Sequence, residues 1–329
     1  MPGKVHPDAL IEHVFGRIGE ADDTVRLGPA EGEDAAAIDW PGGTLVVSSD
    51  PISLAATEVG TLGVHIACND VAASGADPRW LTTVLLLPPD SDDETLQTIT
   101  RDLDAAARSV GATIVGGHSE YVDALERPLV SLTALGAADR VVPTGGAQPG
   151  DHVVLTKSAG IEGTAILATD FGDQLGVDEG LRTRGAAFLE EISVVPDARA
   201  IRSFATAMHD PTEGGIVTGL LELARASDVD LSVDRAAVPV REETATLCEA
   251  ADVDPLAVFG SGALLATVPE TDVDDCLEAL EAADIEAASI GVVRARATDN
   301  PTLELDGESI VEPVADELYP LWEAADTGE

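Results

Sequence analysis

The chain has 329 residues, with 18 lysines and arginines against 61 aspartates and glutamates, so its formal net charge is −43 and its sequence pI is about 4.1. A surface this acidic repels phosphate backbones and anionic lipids, which argues against a nucleic-acid partner and against membrane binding. Hydrophobic residues make up 45% of the chain and the mean hydropathy is +0.13, which excludes a disordered acidic tail.

The first half of the chain alternates helical and strand patterns. Apolar residues at helical spacing predict helices, and short β-branched runs predict strands. In chain order the prediction is helix 8–19, strand 44–49, helix 58–74, strand 80–87, helix 92–110, and strands 112–116 and 128–137. From the first strand onward the order is β-α-β-α-β-β, which is typical of an α+β domain with a split βαβ unit.

Gly and Pro are concentrated over residues 143–151, which we predict to be a linker between two domains, 1–142 and 151–329. Beyond the linker, alternating strands and helices predict an α/β domain. Its predicted elements are strand 152–157, helices 161–171, 179–190 and 197–205, strand 206–209, helix 213–227, strand 229–233, helix 241–251, strand 263–268, helix 272–283 and strand 286–293.

Only two lysines occur, Lys4 and Lys157, and the acidic residues are spread along the chain. This composition indicates a halophilic source, because strong salt screens repulsion between charges; an ordinary acidic cytosolic protein is the alternative. Cys68, Cys248 and Cys276 lie in apolar contexts and are predicted to be buried thiols. With no long apolar run and no signal-peptide pattern, we expect a cytoplasmic protein.

Four short segments place an acid beside small residues at a predicted strand or helix end. The acids are Asp34, Asp50, Asp70 and Asp210. Asp70 follows Asn69 in an otherwise apolar helix, where a lone carboxylate is costly unless it is paired, exposed in a cleft or bound to a cation. Taken singly, Asp50 fits a turn and Asp34 fits a helix cap.

Taken jointly, Asp34, Asp50 and Asp70 suit Mg²⁺, which prefers a few carboxylates together with water and phosphate oxygens. The segment 210–215, Asp-Pro-Thr-Glu-Gly-Gly, opens a predicted helix and offers backbone N–H groups to a phosphate. A helix N-cap at Asp210 or Thr212 explains this segment equally well.

In chain order these motifs resemble those of the aminoimidazole ribonucleotide (AIR) synthase superfamily, which includes the hydrogenase-maturation carbamoyl dehydratase, selenophosphate synthase and thiamine monophosphate kinase. The matching motifs are Gly-Glu-Asp-Ala-Ala at 32–36, Ser-Ser-Asp-Pro at 48–51, Asn-Asp-Val-Ala-Ala-Ser-Gly-Ala-Asp-Pro at 69–78, Gly-Gly-His-Ser-Glu at 116–120 and Met-His-Asp-Pro-Thr-Glu-Gly-Gly at 208–215. The last motif, with Asp-Pro-Leu at 254–256, looks closest to the hydrogenase-maturation branch and its archaeal relatives.

The resemblance implies a PurM-like N-terminal domain whose strands pair across a homodimer into a barrel, a PurM-like C-terminal domain, and Mg-ATP in a cleft between the domains. It implies that ATP activates an oxygen or other acceptor atom of a small-molecule or carrier substrate. By motif matching, the expected metal ligands are Asp34, Asp50 and Asp70. The expected nucleotide contacts also include Asn69, Gly116, Gly117, Asp210, Thr212, Gly214 and Gly215.

The chain also departs from its relatives. The hydrogenase-maturation enzyme uses a cysteine at its extreme C-terminus, whereas this chain ends Ala-Asp-Thr-Gly-Glu, which weakens the case for the carbamoyl-to-cyanide reaction. The alternatives are a non-catalytic nucleotide-binding assembly or regulatory protein, an AIR synthase of purine biosynthesis and a thiamine monophosphate kinase.

Two further positions are candidates for function. His118 stands where several relatives carry an acid, and Glu120 lies two residues further on, on the same face of the predicted strand. We predict both as catalytic acid–base residues, and for His118 a phosphate contact and a surface role are the alternatives. Lys4 is a candidate phosphate contact from an N-terminal arm, which a frayed terminus would explain as well.

Overall fold

The computed structural model describes residue 5 and residues 7–52 and 58–327. The chain divides into two compact units. The N-terminal unit comprises Asp22–Gly28 and Asp34–Val141, and the C-terminal unit comprises Met1–Ala21, Pro29–Glu33 and Val142–Glu329. The predicted phosphate contact Lys4 lies outside the described residues.

The elements follow one another along the chain with short connections. Up to residue 138 they are α1 (Pro7–His13), β1 (Val25–Leu27), β2 (Ala36–Trp40), β3 (Gly43–Ile52), α2 (Val59–Ala73), β4 (Asp77–Leu87), α3 (Asp93–Val110), β5 (Thr113–Tyr121) and β6 (Leu129–Ala138). From residue 151 they are β7 (Asp151–Thr156), α4 (Ile161–Ile166), α5 (Glu179–Ala186), α6 (Val195–Ile201), β8 (Ala207–His209), α7 (Gly215–Ser227), β9 (Asp230–Val233), α8 (Glu242–Ala251), β10 (Leu265–Pro269), α9 (Val273–Glu281), β11 (Ala287–Arg294), β12 (Leu303–Leu305), β13 (Glu308–Ile310) and α10 (Tyr319–Thr327).

The N-terminal unit is built on a six-stranded sheet in the order β1-β2-β3-β6-β4-β5. Neighbouring strands are antiparallel except β4 and β5, which run parallel with α3 as their connection, as the predicted βαβ unit requires. The side chain of Asp92 caps α3 by accepting the Thr95 N–H, and Gly111 ends it in the left-handed conformation. Helix α2, buried along most of its length, packs on the sheet.

Three sequence predictions in this part of the chain need correction. The helix predicted over 8–19 ends at His13, although the Val14 N–H still donates to the Leu10 carbonyl at 2.9 Å. Val14 and Ile18 are 51% and 59% exposed, so the apolar spacing continues past the end of the helix without being buried. Strands β1 and β2 were not predicted, because each is short and carries no clear apolar alternation. The strand predicted over 112–116 continues to Tyr121.

The C-terminal unit is built on a seven-stranded sheet in the order β13-β12-β9-β11-β7-β10-β8. Its pairs are antiparallel except β9 and β12, so the sheet is mixed. Helix α7 lies in the core, with Ile216, Leu220 and Leu221 fully buried. The two-domain architecture with helices on mixed sheets is therefore confirmed, whereas β12, β13 and α10 were not predicted.

All three cysteines are buried and none of them is in a disulfide bond, as predicted. Burial raises the pKa of the Cys248 thiol to about 12 and that of Cys276 to about 11, so both are poor nucleophiles at neutral pH. Within the described ranges, every helix is too short or too polar to cross a bilayer.

Candidate functional site

An acidic set lies in the N-terminal unit where β3 runs beside α2. Period-two alternation along β3 puts Ser48 and Asp50 on one face of the sheet. The last turns of α2 supply Asp70, which is 8% exposed. The Ser48 hydroxyl lies 2.5 Å from Asp70 Oδ2 and 3.1 Å from Asp50 Oδ2, so one side chain connects both carboxylates.

Asp34 completes this set from the turn before β2. A carboxylate oxygen of Asp34 lies within 4.8 Å of one of Asp70. The structure therefore brings together the three acids of the N-terminal unit that the sequence analysis singled out, and adds Ser48. Every donor in the set is an oxygen, which is the ligand type of a hard divalent cation such as Mg²⁺. The sequence signal for Ser48 was its position two residues before Asp50 in a predicted strand.

Asn69 precedes Asp70 and is fully buried. Gly116 and Gly117 lie on β5 at the edge of the sheet, paired with Thr82 and Thr83 of β4. A Cβ on Gly117 would meet the Thr83 carbonyl oxygen at 2.1 Å, so this glycine is required by the close approach of two strands. Strand packing thus accounts for Gly117 without a nucleotide.

His118 and Glu120 lie on the same face of β5, as the spacing predicted. Their side chains are 64% and 55% exposed, and His118 Nε2 lies 3.3 Å from Glu120 Oε2. The pair is therefore open to solvent in the single chain, and its catalytic role stays a prediction.

The turn between β8 and α7 is the second predicted site and belongs to the C-terminal unit. Asp210 is 2% exposed at the end of β8. Gly214 and Gly215 have φ values of +74° and +60°, and the Gly215 N–H donates to the Thr212 carbonyl at 3.1 Å. The turn therefore has a fixed, glycine-dependent geometry.

The amide of Gly214 already has an anionic partner. It donates to Asp316 Oδ2 at 2.9 Å, from the segment that leads into α10. A Cβ on Gly214 would meet the carbonyl oxygen of Val314 in the same segment at 2.5 Å. This contact was not predictable from the sequence, because the segment before α10 carries no periodic pattern and lies about a hundred residues away.

Two family models match the chain in sequence order: the N-terminal domain of AIR synthase related proteins over residues 32–138, and their C-terminal domain over residues 148–304. The carbamoyl dehydratase HypE of Cupriavidus necator is 33% identical over 281 residues, which cover 80% of this chain and 77% of that protein. The chain belongs to the AIR synthase-related family. Within it, the chain falls in the hydrogenase-maturation branch.

Solved structures agree with this family assignment. The hydrogenase maturation protein HypE in complex with ATP aligns with a TM-score of 0.67 and 25% identity, over 94% of this chain and 95% of that one. AaThiL complexed with AMPPCP and TMP aligns with a TM-score of 0.76, over 94% and 96% of the two chains. At 20% identity, the second likeness shows the shared fold.

Proposed function

We propose that this AIR synthase-related protein is a Mg-ATP-dependent enzyme that uses ATP to activate an oxygen or other acceptor atom of a small-molecule or carrier substrate. The observation that carries the proposal is the acidic set, in which Ser48 connects Asp50 and Asp70 and a carboxylate oxygen of Asp34 lies within 4.8 Å of one of Asp70. The ATP complex of HypE supports the choice of nucleotide.

Asp34, Asp50 and Asp70 would hold the Mg²⁺. The bound cation would offset the repulsion between these carboxylates and the triphosphate, and would draw charge from the phosphate oxygens. Ser48 orients the Asp50 and Asp70 carboxylates, and Asn69 is fully buried beside Asp70.

Asp210 and Thr212 are the candidate nucleotide-site residues of the C-terminal unit, and of the two only the Thr212 hydroxyl can donate to a phosphate. Gly214 is a weaker candidate, because its amide donates to Asp316. Thr212→Ala is therefore expected to weaken ATP binding, whereas Asp316→Asn leaves the Gly214 amide with an acceptor oxygen and is expected to change ATP affinity little.

Titration calorimetry with ATP and Mg²⁺ in molar KCl tests the proposal. Removing one charged ligand, as in Asp50→Asn or Asp70→Asn, is expected to weaken binding by about tenfold or more, and Ser48→Ala by about threefold to tenfold. The matched control is Asp90→Asn, an exposed acid in the loop after β4. No ATP binding by the folded wild-type protein, or equal binding by all four variants, would contradict the proposal.

Steady-state release of ADP separates an enzyme from a nucleotide-binding assembly or regulatory protein. An enzyme is expected to release ADP faster when an acceptor of the right class is present. An assembly or regulatory protein would bind ATP, but an acceptor would not accelerate ADP release. Formylglycinamidine ribonucleotide, thiamine phosphate and carbamoylated thiols represent the acceptor classes of an AIR synthase, a thiamine monophosphate kinase and the hydrogenase-maturation enzyme.

We further propose a homodimer formed along β5. All nine residues of this edge strand are exposed, including Ile114, Val115 and Tyr121, and the neighbouring strand β4 exposes Trp80. An open strand edge with apolar side chains is an expected pairing surface. Light scattering is expected to give a dimer for the wild-type protein and a monomer for Val115→Asp. Val311→Asp, at an exposed valine of the C-terminal unit, is the control.

A further inference from the structure

A groove open to solvent runs across the C-terminal unit, apart from the acidic set of the N-terminal unit. It consists of two adjoining cavities of about 860 Å³ and 600 Å³. The residues that line both cavities are Lys157, Asp284, Ile285 and Glu286. The larger cavity lies along α9 and the smaller one lies at the start of α8, and we call the two together the α8–α9 groove.

One side of α9 forms a wall of this groove. The residues that line the larger cavity from this helix are Asp274, Leu277, Glu278 and Glu281. They follow the i, i+3, i+4, i+7 spacing that places side chains on one side of a helix. At a rise of 1.5 Å per residue, this wall is about 10 Å long, which matches about two turns of a helix. The groove therefore has the length to hold a short peptide segment.

Apolar side chains form the base of the larger cavity. They are half-buried, and they are Pro239, Leu277, Ile285 and Ala287. All five acids that line this cavity are exposed, so they form its rim. An apolar base inside a polar rim is the usual anatomy of a protein-binding surface. An inorganic cation, which takes oxygen ligands, would leave the apolar base without a contact.

The groove is more acidic than the chain as a whole. Among the described residues, acids are five of the ten that line the larger cavity and five of the eight that line the smaller one. The whole chain has 61 acids among 329 residues. The charge of the groove therefore exceeds the general acidity of the surface, and it selects a cationic ligand.

The two cations of the groove are engaged by other groups. Lys157 lies 3.2 Å from Asp197 Oδ2, and Arg241 donates to both carboxylate oxygens of Glu191 at 2.8 Å. By contrast, three acids on the α9 wall have no ion pair with the described part of the chain, and they are Asp274, Glu278 and Glu281. The rim along α9 is therefore left with uncompensated negative charge.

We propose that the α8–α9 groove is a docking site for a basic, amphipathic segment of a partner protein. Lysine or arginine side chains of the segment contact the acidic rim, and its apolar side chains cover the base between Leu277 and Ile285. Charge complementarity decides the choice of occupant, and the apolar base favours a peptide over a small polycation. The groove lies within the C-terminal unit, so we expect docking to be independent of ATP.

Titration calorimetry without nucleotide tests the groove, with the blocked octapeptide Leu-Lys-Lys-Leu-Leu-Lys-Lys-Leu as the probe. The experiment uses the lowest KCl concentration at which circular dichroism shows a folded protein. We expect one peptide to bind per chain. The same peptide with glutamine in place of lysine, the same peptide with serine in place of leucine, and spermidine should each bind at least about tenfold more weakly. Binding of the probe should weaken as KCl rises, because salt screens its ion pairs.

Two variants of the α9 wall locate the binding site. The double variant Glu278→Gln, Glu281→Gln should weaken binding of the probe by about threefold to tenfold, because it removes two exposed ion pairs. Leu277→Ala should weaken binding by about threefold, because it removes apolar contact area. The matched control is the double variant Asp275→Asn, Glu249→Gln, which neutralises two exposed acids of the same unit outside the groove and should leave binding unchanged.

Four results would overturn the proposal. The probe fails to bind the folded protein, the glutamine peptide or spermidine binds as tightly as the probe, the wall double variant binds like wild type, or the control double variant loses as much affinity as the wall double variant. Loss of ATP binding in the experiments on the acidic set would leave these expectations intact, because they concern different residues and use no nucleotide.

Discussion

At the residue scale, the side chain of Lys157 is largely buried and its ammonium has four oxygen partners. Its ammonium donates to the carbonyl oxygens of Glu191, Ser193 and Gly262 at 3.1, 2.8 and 2.7 Å, and lies 3.2 Å from Asp197 Oδ2. Its backbone has a φ of +55°, which non-glycine residues adopt at a cost. Four oxygen partners around one buried ammonium hold two loops of the C-terminal unit in place.

Lys157→Met is expected to destabilise the protein by about 3–5 kcal/mol, because the fully buried Asp197 would lose its ion-pair partner. Urea unfolding in molar KCl measures the loss. The double variant Lys157→Met, Asp197→Asn should recover part of the lost stability, because it no longer buries an unpaired carboxyl group at position 197. Arg108→Met breaks the exposed pair with Asp104 and should change stability by less than about 0.5 kcal/mol.

Glu162 gives the pH dependence of stability a definite sign. Its folded-state pKa, about 6, lies above its ordinary value of 4.5. The stabilising contribution of Glu162 to the free energy of unfolding is therefore fully present below pH 4.5 and is lost as the pH rises through 6. Glu162→Gln should therefore match wild type near pH 4.5 and be up to about 2 kcal/mol more stable near pH 8. Denaturant titrations at the two pH values measure this, and an equal effect at both would refute it.

At the element scale, β5 offers a matched pair of neighbouring glycines. A Cβ on Gly116 would meet nothing within 4 Å, whereas one on Gly117 would meet the Thr83 carbonyl oxygen at 2.1 Å. Gly117→Ala should cost about 2 kcal/mol or more by forcing β5 away from β4, and Gly116→Ala about 0.5 kcal/mol or less. Thermal unfolding of both variants measures the loss of stability. Equal losses would contradict the view that the close approach of β4 and β5 requires glycine at position 117.

The long elements were predictable from sequence because their signals are local. Asp92 and Gly111 mark both ends of α3, and its apolar period is regular. Strands β12 and β13 have three residues each, too few for a period to show. The acids of the site were found by their motifs, but the Ser48–Asp70 hydrogen bond joins residues 22 positions apart and depends on how α2 lies on the sheet.

At the scale of the whole molecule, the net charge of −43 predicts a response to salt. Raising KCl from millimolar to molar should raise the melting temperature by about 5–10 °C, because screening relieves repulsion among surface acids. ATP affinity with saturating Mg²⁺ should persist or increase over the same range, unlike binding to a basic surface. A steady fall in affinity while the protein stays folded would contradict this expectation.

The buried ammonium of Lys157 also makes the chain a reporter of its own unfolding. Lys4 is the only other lysine in the sequence, so few amines are available to acylating reagents. The Lys157 side chain is 11% exposed and four oxygens surround its Nζ, so in the folded unit the amine is shielded from an acylating reagent. Mass spectrometry of acylated Lys157 would then count molecules in which the C-terminal unit has opened, without any engineered label.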